Sequence, residues 1–287
     1  MAVIGQHIGV RWRWSRYHNT KSQNRGFSVI YGPVAATKSP AEILEAVVED
    51  GRKELRRGGT GLAFSGLAAG LNISFSAIAL AVIGSLTGGV GLAAIAAYPI
   101  GFLIVVLGRA ELYTENTVTP VAVVLTDRSK LVDMLRLWVV IFVFNVLGVM
   151  AFAFVFAHGG ILGSAASELL LGEVATKITE GFWEVTLKAV IGGWLVALIA
   201  WMVAASQDTI SQIFFIWLLV LLIPAAGLAH CIAGSAEVLI SVFSGETSWT
   251  EYLGRFLLPA TLGNTIGGLV LVTLLNYGQV VGSRRKG

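Results

Sequence analysis

The side chains able to do chemistry gather in two stretches of this sequence, and both interrupt apolar runs. GRAELYTENTVTP (Gly108 to Pro120) sets Arg109, Glu111 and Glu115 beside Thr114, Asn116 and Thr117. PAAGLAHCIAGS (Pro224 to Ser235) holds His230 and the single cysteine, Cys231, with Glu237 just beyond. An imidazole titrates near neutral pH and can supply or share a proton. Arg109, Glu115 and Glu237 are charges in apolar surroundings, where ionisable groups are expensive and are paired or functional. A metal or intramembrane catalytic site on His230 and Cys231 lacks further ligands, because His7, His18 and His158 fall outside both stretches. One cysteine also excludes a disulfide framework and any CxxC pair. No catalytic residue set and no cofactor are expected.

Composition explains why those stretches stand out. The chain is 55% hydrophobic and 13% charged, with a mean hydropathy of +0.78. Soluble domains carry about 25% charged residues, so this is an integral membrane protein. A net charge of +3 without nucleic-acid motifs gives no reason to expect a nucleic-acid partner. Membrane lipids are the expected surroundings. The first 40 residues are basic but lack the apolar core of a signal peptide.

About 20 apolar residues span a bilayer as a helix. Six such segments are read near 61–84, 94–126, 131–157, 183–205, 209–243 and 254–277. The second and fifth are long, and the two chemically rich stretches break them at 108–116 and 224–235. Ten of the twenty Lys and Arg precede residue 60. Arg128, Lys130, Arg136, Arg284, Arg285 and Lys286 fall on the same side, leaving Lys177, Lys188 and Arg255 opposite. That bias puts both termini in the cytoplasm of a cell (inner or plasma) membrane protein.

Residues 1–37 are basic with no periodic core and read as a disordered tail. Ser39, Pro40 and Glu42 form a capping-box signature. Ile43, Leu44, Val47, Val48 and Leu55 then share one face, which predicts an amphipathic helix over 38–58 ended by Gly58-Gly59. The transmembrane domain follows over 59–280, and a basic tail over 281–287 closes the chain.

The spans form two groups of three. A broken second span is followed by Asn145-x-x-Gly148, and a broken fifth span by Asn264-x-x-Gly267-Gly268. Three spans per group is odd, so the groups are inverted in the membrane, an arrangement typical of transport proteins with broken helices near the midplane. Backbone groups freed at membrane depth must be buried in protein or line an aqueous path. Thr114, Asn116 and Thr117 are candidate caps for the half-helix after the first break, with Pro120 in its first turn. Asn145 and Asn264 can bond freed carbonyls, and the glycines permit close backbone approach.

GRAELYTENTV after an apolar run, WLVALIAWM in the fourth span, GLAHCIAGS in the fifth and LGNTIGG in the sixth resemble, in this order, the formate/nitrite transporter family. The resemblance covers roughly residues 40–280. It is strongest to a divergent YfdC-like branch, through TENTVT, a Gly-Ser-x-Glu after the histidine and a longer N-terminal extension. It implies an all-α, aquaporin-like bundle that forms a homopentamer, each protomer with its own pore for formate, nitrite or hydrosulfide. By match, His230 is the central histidine, faced by Thr114, with Lys177 on the periplasmic side and Asn264 in the sixth span. The constrictions fall on Tyr98, Phe102 and Ile223, with Leu112 and Tyr113 in the first break.

Departures from the family pattern bear on the solute. Ala229 stands where formate channels typically place a glutamate, Cys231 replaces a serine, and Arg109, Glu115 and Glu237 occupy uncharged positions. These three charges are expected either to line the path as a filter or to form a buried pair, Arg109 with Glu237 or with Glu115. The function expected is a channel or transporter for small monovalent anions or their weak acids. The alternatives are the same fold passing a neutral or otherwise different small solute, and a non-transporting structural or sensory protein.

Overall fold

The computed structural model describes residues 37–284, which are helical with short connections. The basic stretch before residue 37 and residues 285–287 lie outside the described residues. Helix α1, Pro40–Leu55, begins as the capping box requires: Ser39 Oγ accepts the N–H of Glu42 (3.3 Å), and the Glu42 carboxylate accepts the Ser39 N–H (2.6 Å). It ends at Leu55, slightly earlier than expected, and Gly59 opens the next helix.

Among the described residues four helices are long and apolar enough to cross a membrane: α2, Gly59–Thr87; α5, Arg128–His158; α7, Phe182–Ala205; and α10, Trp249–Ser283. Between them lie two interrupted segments. The first runs α3, Leu92–Leu107, then a break, then α4, Thr119–Thr126; the second runs α8, Thr209–Ala225, a break, then α9, Ala233–Phe243. Helix α6, Ser164–Lys177, occupies the connection between α5 and α7, where no helix was expected. Its buried stripe is only Ala166, Leu170 and Val174, too small and too diluted by polar residues to register as a period.

Helix continues to Arg284, past residue 281 where the basic tail is expected to open. Within α10, Tyr252–Leu257 and Gly267–Leu274 are wound as π-helix, which widens the turn. Helix α1 is not free on a membrane surface. Its buried residues, Leu44, Val47, Val48, Gly51 and Leu55, face the body of the protein. Gly51 lets it approach α4 so closely that a Cβ would overlap the Thr119 carbonyl.

Candidate pore site: two breaks held by matched asparagines

Both breaks start with the same turn. At the end of α3 the N–H of Arg109 bonds the Val106 carbonyl and that of Ala110 the Val105 carbonyl, with Arg109 at φ +57°. At the end of α8 the N–H of Gly227 bonds the Pro224 carbonyl and that of Leu228 the Ile223 carbonyl, with Gly227 at φ +59°. This is the left-handed helix stop that consumes two orphan carbonyls. The second break is shorter than the 224–235 expected from sequence. Pro224 fits in the last turn of α8, and Ser235 lies in the first turn of α9, its hydroxyl on the Cys231 carbonyl (2.5 Å).

Each break is then held by one buried asparagine. Asn145 accepts the N–H of Tyr113 (2.9 Å) and donates to the carbonyls of Glu111 (2.9 Å) and Gly66 (2.8 Å). Asn264 accepts the N–H of Cys231 (2.8 Å) and donates to the carbonyls of Ala229 (3.0 Å) and Ala189 (2.7 Å). A side-chain amide with one acceptor and two donors thus satisfies three backbone groups that lipid could not. The glycines correspond as well. A methyl on Gly70 would strike the Asn145 carbonyl, and one on Gly193 the Asn264 carbonyl.

The expected caps take other roles. Thr117 Oγ1 donates to the Thr114 carbonyl (2.7 Å), and Asn116 Nδ2 donates to Glu111 and to the Leu112 carbonyl. No side chain caps α4, because the single 3₁₀ turn Glu115–Thr117 leads directly into it. Pro120 does sit in its first turn.

The breaks meet at His230 and Thr114, both buried, with Nε2 and Oγ1 2.9 Å apart. The N–H of Ala233 donates to His230 Nδ1 (3.1 Å), so Nδ1 keeps its lone pair. The proton of the neutral ring therefore lies on Nε2 and is donated to Thr114. Phe102 sets its ring edgewise to the imidazole at 5.1 Å, and Tyr98 follows at 6.2 Å from Phe102. Tyr98, His230, Ala229 and Phe256 line a cavity of about 30 Å³, which the ion pair between Lys177 and Glu237 also borders. Phe256 was not anticipated, because in the sequence it is one more apolar residue of a spanning helix.

On the α1 side of the first break lies a larger cavity of about 580 Å³, bordered by Glu54, Arg57, Arg109, Glu111, Glu115 and Asn116. Arg57 pairs with Glu111, which also accepts from Asn116 Nδ2 (2.9 Å). Glu54 accepts from Thr119 Oγ1 (2.5 Å). Burial, then the neighbouring Glu111 charge, pushes the Glu54 carboxyl well above the usual carboxylate range.

Two expectations about charge require correction. Arg109 pairs with neither Glu237 nor Glu115 among the described residues; it is exposed at the left-handed turn. Glu237 is instead neutralised by Lys177, and the arginine that meets the first break's acid is Arg57, on Glu111. The remaining candidates separate. Tyr113 sets its hydroxyl on Thr265 (2.8 Å) and its ring against Trp138 and Phe142. Leu112 and Ile223 are buried in the packed interior, and Asn264 braces the second break. No group of three or more His, Cys, Asp or Glu able to hold a metal ion occurs among the described residues.

Comparisons with known proteins point to one family. A family model described as formate/nitrite transporter covers residues 41–278. Inner membrane protein YfdC of Escherichia coli (strain K12) is 33% identical over 245 residues, 83% of this chain and 78% of that protein. The solved structure of an FNT family ion channel superposes with a TM-score of 0.73 at 21% identity, over 83% of this chain and 99% of that one. A pentameric formate channel with formate bound gives 0.65 at 18% identity, over 78% and 98%. The chain is a multi-pass membrane protein of the formate/nitrite transporter family, a YfdC-like member.

Proposed function

We propose that this protein is a membrane channel or transporter for small monovalent anions or their weak acids, with a path through each protomer of a homopentamer. In this reading the chain crosses the membrane six times, as two inverted three-helix repeats with both termini cytoplasmic. The observation that carries it is the His230–Thr114 hydrogen bond, which joins the two breaks inside an apolar collar. An ion crossing such a collar sheds water at a cost of several kcal/mol unless it is hydrogen-bonded or protonated. The Nε2–H of His230 offers a donor there, and a permeant oxygen takes the place of Thr114 as its acceptor. The positive end of the α9 half-helix lies behind the imidazole, which favours a partner with negative character. The pentameric formate channel noted above supports the assembly and the solute class.

A second reading, the same path used by a neutral or otherwise different solute, draws support from the α1 side. Glu111, paired with Arg57, borders the large cavity there beside Arg109, so a free anion meets a carboxylate as well as cations. A liposome flux panel of formate, nitrite, hydrosulfide, acetate and glycerol separates the two. The first reading expects formate or nitrite to outpace glycerol. It also expects His230→Ala to cut that flux at least tenfold or abolish its pH dependence, while His230→Asn, which keeps an N–H donor, retains part of it. Glycerol passing alone establishes the second reading, and unchanged pH–flux curves in His230→Ala make the histidine a scaffold residue.

A further inference from the structure

We propose that Glu237 sets the charge selectivity of the path by cancelling Lys177, so that the mouth on that side does not attract anions. This rests on the channel reading above. Glu237 lies on α9, whose residues from Ala233 to Val242 are all buried. Its side chain is 3% exposed, against 30% for Lys177. A carboxylate so enclosed needs a partner within reach, and Lys177, the last residue of α6, supplies it. Both groups border the small cavity whose other wall is His230. A solute approaching the imidazole from this mouth therefore meets an ammonium and a carboxylate together, with no net charge.

The rest of the mouth adds no positive excess. Lys188 is shared between Glu180 (2.6 Å) and Glu184 (2.9 Å), and Glu180 also borders the cavity. Lys177 alone would act as an anion collector. With Glu237 beside it, the mouth admits a solute by size and hydrogen bonding more than by charge. Removing the carboxylate exposes one unit of positive charge to the path, worth on the order of tenfold in local occupancy for an anion about 12 Å away at an effective dielectric near 20.

The test compares the full chain with E237Q, K177Q and the double variant in liposomes, following formate influx at pH 8, where formate is anionic. E237Q is expected to raise influx on the order of tenfold, K177Q to lower it, and K177Q/E237Q to return close to the parent. Assembly of E237Q is expected to survive, because the unpaired Lys177 can still reach water; Glu237→Met supplies a second neutral side chain of similar length. Equal influx in parent and both neutral variants overturns the proposal, as does a double variant that behaves like E237Q. Formate-dependent thermal stabilisation in detergent gives a readout that needs no flux. If the parent passes no solute in the panel, the channel reading fails. The pair is then judged by binding: a lower formate concentration for half-maximal stabilisation in E237Q supports it, and identical curves overturn it.

Discussion

The first break, Gly108 to Val118, and the second, Ala226 to Ile232, are built on one plan and furnished differently. Each opens with a left-handed stop, is bracketed by an asparagine with three backbone bonds, and is approached through a glycine that admits no Cβ. The second break itself carries no acidic or basic side chain besides His230. The first carries Arg109, Glu111 and Glu115, and α1 docks beside it with Arg57 and Glu54. What the breaks share is the solution to a backbone problem, because unpaired N–H and C=O groups are not tolerated at membrane depth. What they do not share is where solute chemistry resides.

The shared part makes the strongest prediction. Asn145→Ala and Asn264→Ala each strand one N–H and two carbonyls, and each stranded group costs about 1–3 kcal/mol. Both variants should lose most folded material in fluorescence-detected size exclusion, and to similar extents. A large loss at one and tolerance at the other would show that the correspondence is geometric only.

The charges on the first break come next. Arg57→Leu leaves Glu111, whose side chain is 11% exposed, without its cation, and a buried charge stripped of its partner is more harmful than the loss of both. Arg57→Leu should lower the thermal midpoint by several degrees, and adding Glu111→Gln should recover part of that. Arg109→Leu, at an exposed position, should change the midpoint little. A drop for Arg109→Leu matching that of Arg57→Leu would return Arg109 to the buried network.

The smallest effect concerns the left-handed stop. Arg109 holds a conformation that costs a non-glycine residue roughly 1–2 kcal/mol, where the second break uses Gly227. Arg109→Gly should therefore stabilise by about 1 kcal/mol, read as a small rise in thermal midpoint. If it falls instead, the guanidinium contributes more than its backbone strain costs, and the filter role for Arg109 gains.

Much of this was legible because membrane burial writes itself into local sequence. Apolar runs gave the four long spans and the two interrupted segments, Ser39, Pro40 and Glu42 gave the start of α1, and the recurrence of Asn-x-x-Gly marked the two asparagines that hold the breaks. The start of the first break at Gly108 could be read, but not its left-handed turn, since arginine carries no signal for positive φ. Helix α6 was hidden by its polar composition.

The sequence alone determined that this chain enters a bilayer and that two of its apolar segments are interrupted, one of them at a histidine. Hydrophobicity and backbone satisfaction are local demands, met by residue type at each position. Only the tertiary structure decided which charges neutralise one another. Arg57 lies 54 residues from Glu111, and Lys177 lies 60 from Glu237. Every acid is an equal candidate for every base along the chain, and Coulomb attraction acts through distance in space, which the folded helices set.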